Sequence, residues 1–237
     1  MAQHGKRTRV AIGGHNLTRY FNDASVNDST ETADTTTFEP PGDSKTYIPG
    51  LNEGTISASG FYEGEGADSL DERLRGIIDE SAAPHFVVDP GGGQRPAFGQ
   101  SVFTTYDVSA PIGDAVTVSL DFQSDGPLRR GPMLAHTDSH DATSSTAYDT
   151  VDMSTASDAA YLQAHVFAND ADDAVTFTLE HSADEATWLE GPQVVVPAGD
   201  TGVFTDDEID TINRYWRLVP SSSATEGTLS VMIAASR

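Results

Sequence analysis

Along the chain, hydrophobic and polar positions mostly alternate with a period of two, the mark of strands with one buried face. The clearest run is "VTVSLDFQ", where Val116, Val118, Leu120 and Phe122 share one face and Thr117, Ser119, Asp121 and Gln123 the other. Comparable patterns occupy Ile56 to Tyr62, Val102 to Val108, Leu162 to Val166, Val175 to Leu179, Tyr215 to Val219 and Leu229 to Ile233. One-sided strands of this kind assemble into antiparallel sheets. The pattern therefore predicts a mainly β protein.

One stretch has the helical period instead. Leu70, Leu74, Ile77 and Ile78 fall at i, i+4, i+7 and i+8, and Ser69 is followed three residues later by Glu72, a capping box that satisfies free amides at both positions. This predicts one helix near 69–80, lying flat on a sheet and ending before Pro84. The glycines in "VVDPGGGQRP" then make a turn into the next strand.

Two segments show neither period. Residues 34–52 carry Pro40, Pro41, Gly42, Pro49 and Gly50, which work against regular structure, and Phe38, Tyr47, Ile48 and Leu51, which are anchors of the kind a partner's pocket receives. Such a segment reads as an arm disordered in the monomer, or as a surface loop folded on its own domain. Residues 135–158, "AHTDSHDATSSTAYDTVDMSTASD", are small and polar and read as a linker or exposed loop. The chain then divides into a β domain with one packed helix over 1–134 and a β-sandwich over 159–237, the size of a small sandwich.

Charge narrows the function. Thirty-seven acids against 13 bases give a formal net charge of −24. That surface repels nucleic acid phosphates and anionic lipids. Aspartate supplies 25 of the acids, and lysine occurs only at Lys6 and Lys45. Either GC-rich codon usage has replaced lysine by arginine, or the surface suits molar salt, where the Debye length falls to about 3 Å. The first twenty residues differ, carrying Lys6, Arg7, Arg9 and Arg19 and no acid. They read as an arm docking on an acidic neighbour or as an exposed, tag-like end. No cysteine is present, so packing and hydrogen bonds must hold the fold. No apolar run approaches the roughly 18 residues of a membrane span, and the amino terminus lacks the apolar block of a secretory signal.

Catalytic chemistry finds little support. "GDSKT" at 42–46 lacks the glycine a phosphate-binding loop needs before its lysine, and Gly91 to Gly93 lack dinucleotide-binding spacing. His136 and His140 stand four apart, but in a segment that reads as loop, with no third ligand fixed. "NDADDA" at 169–174 departs from a calcium loop at its third and sixth positions and reads as a hairpin turn. No elbow exposing a nucleophile occurs. We expect no enzyme, no metal site and no cofactor.

The order of pieces carries a resemblance. "DTTTF", then "KTYIPGLNEGTISASGFY", then a capped helix from Ser69, then "SAPIGDAVTVSLDFQSDGPLRRGPML", resemble the major tail tube proteins of long, flexible-tailed viruses of bacteria and archaea, with a haloarchaeal virus as one possible source. "LEHSADEATWLEG" and "INRYWRL" are similar to the carboxy-terminal part of the actinobacterial and archaeal members. The resemblance implies subunits that form sixfold rings stacked into a tube, with a closed β-barrel lumen through which the genome passes. It implies an antiparallel sandwich or barrel of the tail-tube type, assembled in the host cytoplasm into the virion tail. The partners would be the protein itself, other tail proteins at the tube ends, and viral DNA passing without specific binding. Phe38, Lys45, Tyr47, Ile48, Pro49 and Leu51 would form the inter-subunit arm, Lys6, Arg7 and Arg9 a docking end, and the sandwich an exterior decoration standing off on its linker. The competing expectation is a carbohydrate- or surface-binding sandwich of a baseplate or cell surface, with Tyr161, Trp188 and Trp216 as stacking residues.

Overall fold

The computed structural model describes residues 7–36, 44–64, 66, 69–79, 83–91 and 93–237. The amino-terminal part contains β1 (Arg9–Ile12), β2 (His15–Asn16), β3 (Phe21–Asp34), β4 (Tyr47–Phe61), α1 (Leu70–Asp79), β5 (His85–Asp89), β6 (Ala97–Ser109), β7 (Thr117–Ser124) and β8 (Arg129–Arg130). The remainder contains β9 (Met133–Asp141), β10 (Val151–Asp152), β11 (Ala160–Asn169), β12 (Val175–Ser182), β13 (Trp188–Val196), β14 (Gly202–Glu208), β15 (Tyr215–Ser222) and β16 (Thr228–Ser236). The protein is mainly β, and every strand pairing is antiparallel.

The amino-terminal strands form one sheet in the order β2-β1-β5-β6-β7-β4-β3, with β8 beside β6. Strand β6 serves both halves: Ala97–Gln100 pair with β5, and Ser101–Ser109 pair with β7. Gly99, near the end of the β5-paired stretch, has φ 150°, a conformation that glycine adopts freely. The two halves enclose one core. Val10, Ile12, Phe86 and Val88 enter it from one side, and Ile56, Val118, Leu120 and Phe122 from the other.

Helix α1 fills the same core with Leu70, Leu74 and Ile77. Ile78 is exposed, so the stripe is narrower than its spacing implied. Half of the capping box forms: the Glu72 amide donates to Ser69 Oγ at 3.3 Å, while the Ser69 amide donates to the Gly66 carbonyl at 3.0 Å. Asp71 fixes the helix to the sheet, accepting from the Tyr106 hydroxyl of β6 and from Arg75 Nε at 2.7 Å. These bonds hold its carboxyl below the usual range, while burial pushes the Tyr106 hydroxyl up.

The remaining strands form two four-stranded sheets, β14-β11-β16-β9 and β10-β15-β12-β13. Leu162, Val166, Phe177, Leu179, Trp216, Leu218, Val231 and Ile233 fill the space between them. The first of these sheets has a second buried face. Met232 and Ala234 of β16 pack on Ala11, Val87 and Phe98, the outward side chains of β1, β5 and β6. Gln163 Nε2 also donates to the Phe86 carbonyl across this seam, at 2.9 Å. In sequence of layers, the molecule runs from the β3-β4-β7-β6 half, through the helix-filled core, to the β1-β5 half and then the two sandwich sheets.

Two expectations need correction. Residues 135–158 do not form a linker on which the sandwich stands off. Residues 133–141 are strand β9, paired with β16, and Ala142 and Met153 are buried in the sandwich core. The reason is that β9 is an edge strand with two register irregularities and few apolar residues, so its period is hidden. Nor are the described parts of 34–52, residues 34–36 and 44–52, an irregular loop. Asp34 pairs with Tyr47, Ala33 with Ile48, Thr32 with Pro49 and Thr30 with Asn52, extending β3 and β4 as one hairpin. Gly50 and Leu51 form a bulge opposite Glu31, next to Pro49, where the missing amide of proline is tolerated. Among the described residues no helix is long and apolar enough to cross a membrane.

Candidate assembly surface

Strand β7 supports β4 only from Phe61 back to Thr55, which pairs with Gln123. Beyond that pair, β3 and β4 continue alone as a two-stranded ribbon through Asp34 and Tyr47. The Thr35 amide then donates to the Thr46 carbonyl at 2.9 Å. Seven residue steps at about 3.4 Å give the ribbon a reach of about 24 Å, comparable to the supported part of β4. Both of its faces are exposed, including Tyr47 at 53%, Ile48 at 56% and Leu51 at 78%.

Local polar contacts hold the far end. Thr30 Oγ1 donates to Asn52 Oδ1 at 2.7 Å, and the Thr46 amide to Thr36 Oγ1 at 3.0 Å. The side chain and amide of Thr36, then Lys45 with its Nζ 3.3 Å from Asp34 Oδ2, hold the Asp34 carboxyl below its ordinary range. Of the expected arm residues, Lys45, Tyr47, Ile48, Pro49 and Leu51 are thus gathered on one ribbon, and Phe38 lies outside the described residues.

The supported half of this sheet has a distinctive outer face. Asp23, Ser25 and Asn27 of β3 stand beside Ser59, Ser57 and Thr55 of β4. These in turn face Ser119, Asp121 and Gln123 of β7, and Thr105, Asp107 and Ser109 of β6 complete the row. Apart from Val102, opposite Gln123, and Phe61 at one end, the face consists of hydroxyls, amides and carboxylates, and none of these residues is a lysine or arginine. Ser57 Oγ donates to Asp121 Oδ1 at 2.6 Å, so part of its polarity is already internally bonded. Both side edges are open: among the described residues β3 pairs only with β4, and Val102–Ser109 of β6 only with β7. Open edges present unpaired amides and carbonyls, a template for another chain. The sequence hinted at the face through the polar side of "VTVSLDFQ" but gave no sign of which strands would lie at the edges.

The other candidate residues do not make a site. Arg9 Nη1 is paired with buried Asp89 at 3.1 Å within the chain, Arg7 is exposed, and Lys6 lies outside the described residues. Trp216 is 1% exposed, its Nε1 donating to the Asn213 carbonyl at 2.7 Å. Tyr161 stacks on Phe98 at the seam, with the Arg129 guanidinium 4.0 Å from its ring centre. Trp188 is half-buried and covered by Arg217 at 4.1 Å, which is itself paired with Glu180. These three aromatics therefore share no surface. His140 is buried, its Nδ1 2.9 Å from the Tyr148 hydroxyl, while His136 lies near Arg9 and Asp89. Among the described residues no group of three or more histidine or carboxylate side chains is placed to hold a metal ion.

Comparison with known proteins bears on the first part of the chain. Residues 17–130, just under half of it, match the profile of a family described as phage tail tube protein. That stretch begins after β2 and ends at β8, so it contains the ribbon, the polar face and both open edges and none of the sandwich. No curated protein matches the chain. Among solved structures, a chain of the virion of a native gene transfer agent particle superposes with a TM-score of 0.47 at 23% identity, over 55% of this chain and all of that one. A chain of the tail of an empty gene transfer agent particle, refined with C6 symmetry, gives 0.46 at 24% identity over the same shares. The SPP1 Dit protein, from a hub of the adsorption apparatus of phages infecting Gram-positive hosts, gives 0.40 at 12% identity over 97% of this chain and 99% of that one.

Proposed function

We propose that the chain is a non-enzymatic structural subunit of a phage-like tail tube. Copies join edge to edge, β3 of one against β6 of the next, into rings that stack around a channel. The observation that carries this reading is the β3-β4-β7-β6 half of the amino-terminal sheet, unpaired along β3 and along Val102–Ser109 of β6 among the described residues, and lying inside the segment that matches the tail tube family. Closure into a ring removes both edges at once, the same solution that barrels use. The resemblance read from the sequence makes the ring sixfold, and the assembled protein a part of the virion tail, built in the host cytoplasm and bounded by other tail proteins at its ends.

In this arrangement the polar outer face of β3-β4-β7-β6 lines the channel. Asp23, Asp107 and Asp121 give it negative charge with no base beside them, so DNA phosphates are repelled and the genome slides without sticking. The layer order supports this assignment, because the sandwich packs on the opposite half of the sheet and would lie on the outside. The net charge of −24 per copy makes close packing of subunits costly at low ionic strength, a repulsion that high salt screens.

The test is electron microscopy of the purified chain at high concentration, in low salt and in about 2 M KCl, where the Debye length is only a few ångströms. Sixfold rings or tubes are expected, favoured by salt. Monomers at every salt and protein concentration would sink the reading.

A further inference from the structure

The seam between the amino-terminal sheet and the sandwich holds a buried histidine in a fixed polar network. Its enclosed apolar part is Ala11, Val87, Phe98, Met232 and Ala234, whereas the cores on either side are each self-contained and share no residue with it. The chain passes between the two sides once, from Arg130 of β8 through Gly131 and Pro132 to Met133 of β9. Gln163 and His165 lie on the seam face of β11, opposite Ala234 and Met232 of β16. Both hydrogens of the Gln163 side-chain nitrogen are committed. One goes to the Phe86 carbonyl across the seam at 2.9 Å, the other to His165 Nε2 at 2.8 Å. The Gln163 oxygen accepts from the Tyr161 hydroxyl at 3.3 Å. An amide nitrogen only donates, so His165 Nε2 carries a lone pair and the ring proton sits on Nδ1. His165 is fully buried, and its Nδ1 has no hydrogen-bond partner among the described residues.

We propose that this network is a proton-operated latch: uptake of a proton by His165 opens the seam, and the sandwich swings away from the amino-terminal sheet on the Gly131–Pro132 crossing while both cores stay folded. A proton on Nε2 meets the Gln163 amide hydrogen and breaks that bond. Turning the amide over offers the imidazolium an oxygen, but it leaves the Phe86 carbonyl without its donor. Either way the polar bond across the seam is lost. The closed seam cannot solvate the new charge, and opening lets water do so. No acid stands ready to balance it. His85 of β5 and His15 of β2 approach from the amino-terminal sheet, Arg129 and Asp207 flank Tyr161 at the far end, and His136 of β9 lies beyond β16 near Arg9 and Asp89. On β14, Val203 stands opposite the ring. Burial, and the like charge that His85 would carry, keep protons off His165 in the closed form. The latch is therefore at full strength above about pH 6.5 and weakens as pH falls. It does not depend on how copies of the chain assemble.

Two neighbouring positions make the opening readable. Ala234 and Ala235 are both fully buried on β16, the first facing the seam and the second the sandwich core. The chain has no cysteine, so Ala234→Cys and Ala235→Cys each supply a single thiol. Their reaction with a pyridyl disulfide is timed at pH 7.5 and pH 5 and divided by that of a free thiol. One histidine regaining its ordinary proton affinity on opening should make the Ala234→Cys thiol react about thirty-fold faster across this range, with the Ala235→Cys thiol unchanged. Adding His165→Gln should remove about that factor. Equal acceleration of both thiols would mean global unfolding and overturn the latch. A seam thiol still protected at pH 5, or an acceleration that His165→Gln leaves intact, would overturn it as well. The comparison of the two thiols is made with His165 present, so it is decisive even where that variant does not fold.

Discussion

Strands β3 and β4 form the longest pairing in the protein, and β11 and β16 form one nearly as regular, yet the two behave oppositely toward solvent. The outer half of the β3–β4 ribbon buries neither face. Strand β16 buries both, with Val231, Ile233 and Ala235 turned into the sandwich and Met232 and Ala234 turned onto the amino-terminal sheet. The ladder of backbone hydrogen bonds is alike in the two places, so it does not decide which is stable alone. Side-chain burial does, at about 25 cal/mol for each Å² of apolar surface removed from water. The ribbon has deferred that burial, and we read it as a surface waiting for another copy.

The sharpest way to break this contrast is to remove the ribbon tip. Deleting residues 36–49 should abolish assembly and leave a soluble, folded monomer whose chemical denaturation midpoint is essentially that of the full chain. A large loss of stability would mean that the ribbon belongs to the folded core after all. The converse change is Trp216→Ala, which empties a fully buried site and should cost about 3–5 kcal/mol in a denaturation experiment. A Leu51→Ser change on the ribbon should cost almost nothing in the same experiment.

Acid should also separate the two regions. Burial holds His165 at about 3 and pushes His140 and His181 down as well. The unfolded chain takes up protons on these rings below about 6.5 while the folded chain does not. Stability contributed this way is therefore fully present above that pH and falls as pH drops, by at most about 1.4 kcal/mol per unit for each ring. Between pH 6.5 and 5, above the range in which carboxylates titrate, unfolding should become easier, and His165→Leu should flatten the slope. An unchanged slope in that variant would show that His165 is not held neutral.

Two smaller effects sharpen the picture. Gln163→Leu leaves the Phe86 carbonyl without its partner at the seam and should cost about 1–3 kcal/mol. Lys45→Ala breaks only an exposed pair, and calorimetry should find the melting temperature unchanged, since exposed pairs of this kind contribute little.

Much of this was legible in the sequence, because the patterns concerned are local. Alternation in "VTVSLDFQ" placed β7 and assigned its buried face, and Ser69 with Leu70, Leu74 and Ile77 placed the helix. The apolar residues of 44–52 stand out in the sequence among prolines and glycines, but their strand pairing was hidden because the same prolines and glycines, at a bulge, mimic a loop. Residues 133–141 were hidden for a different reason: an edge strand of small polar residues takes its order from a partner some ninety positions away. Trp216 and Tyr161 could not be sorted from Trp188 by composition, since an aromatic serves a core or a surface equally well until the sheet around it is known. The chain by itself thus determined which segments are strands or helix and the sign of its surface charge, both properties of neighbouring residues and simple sums. Only the tertiary structure decided which strands stand at open edges, which faces are buried twice and which are left bare, because those depend on pairings between residues far apart in the chain.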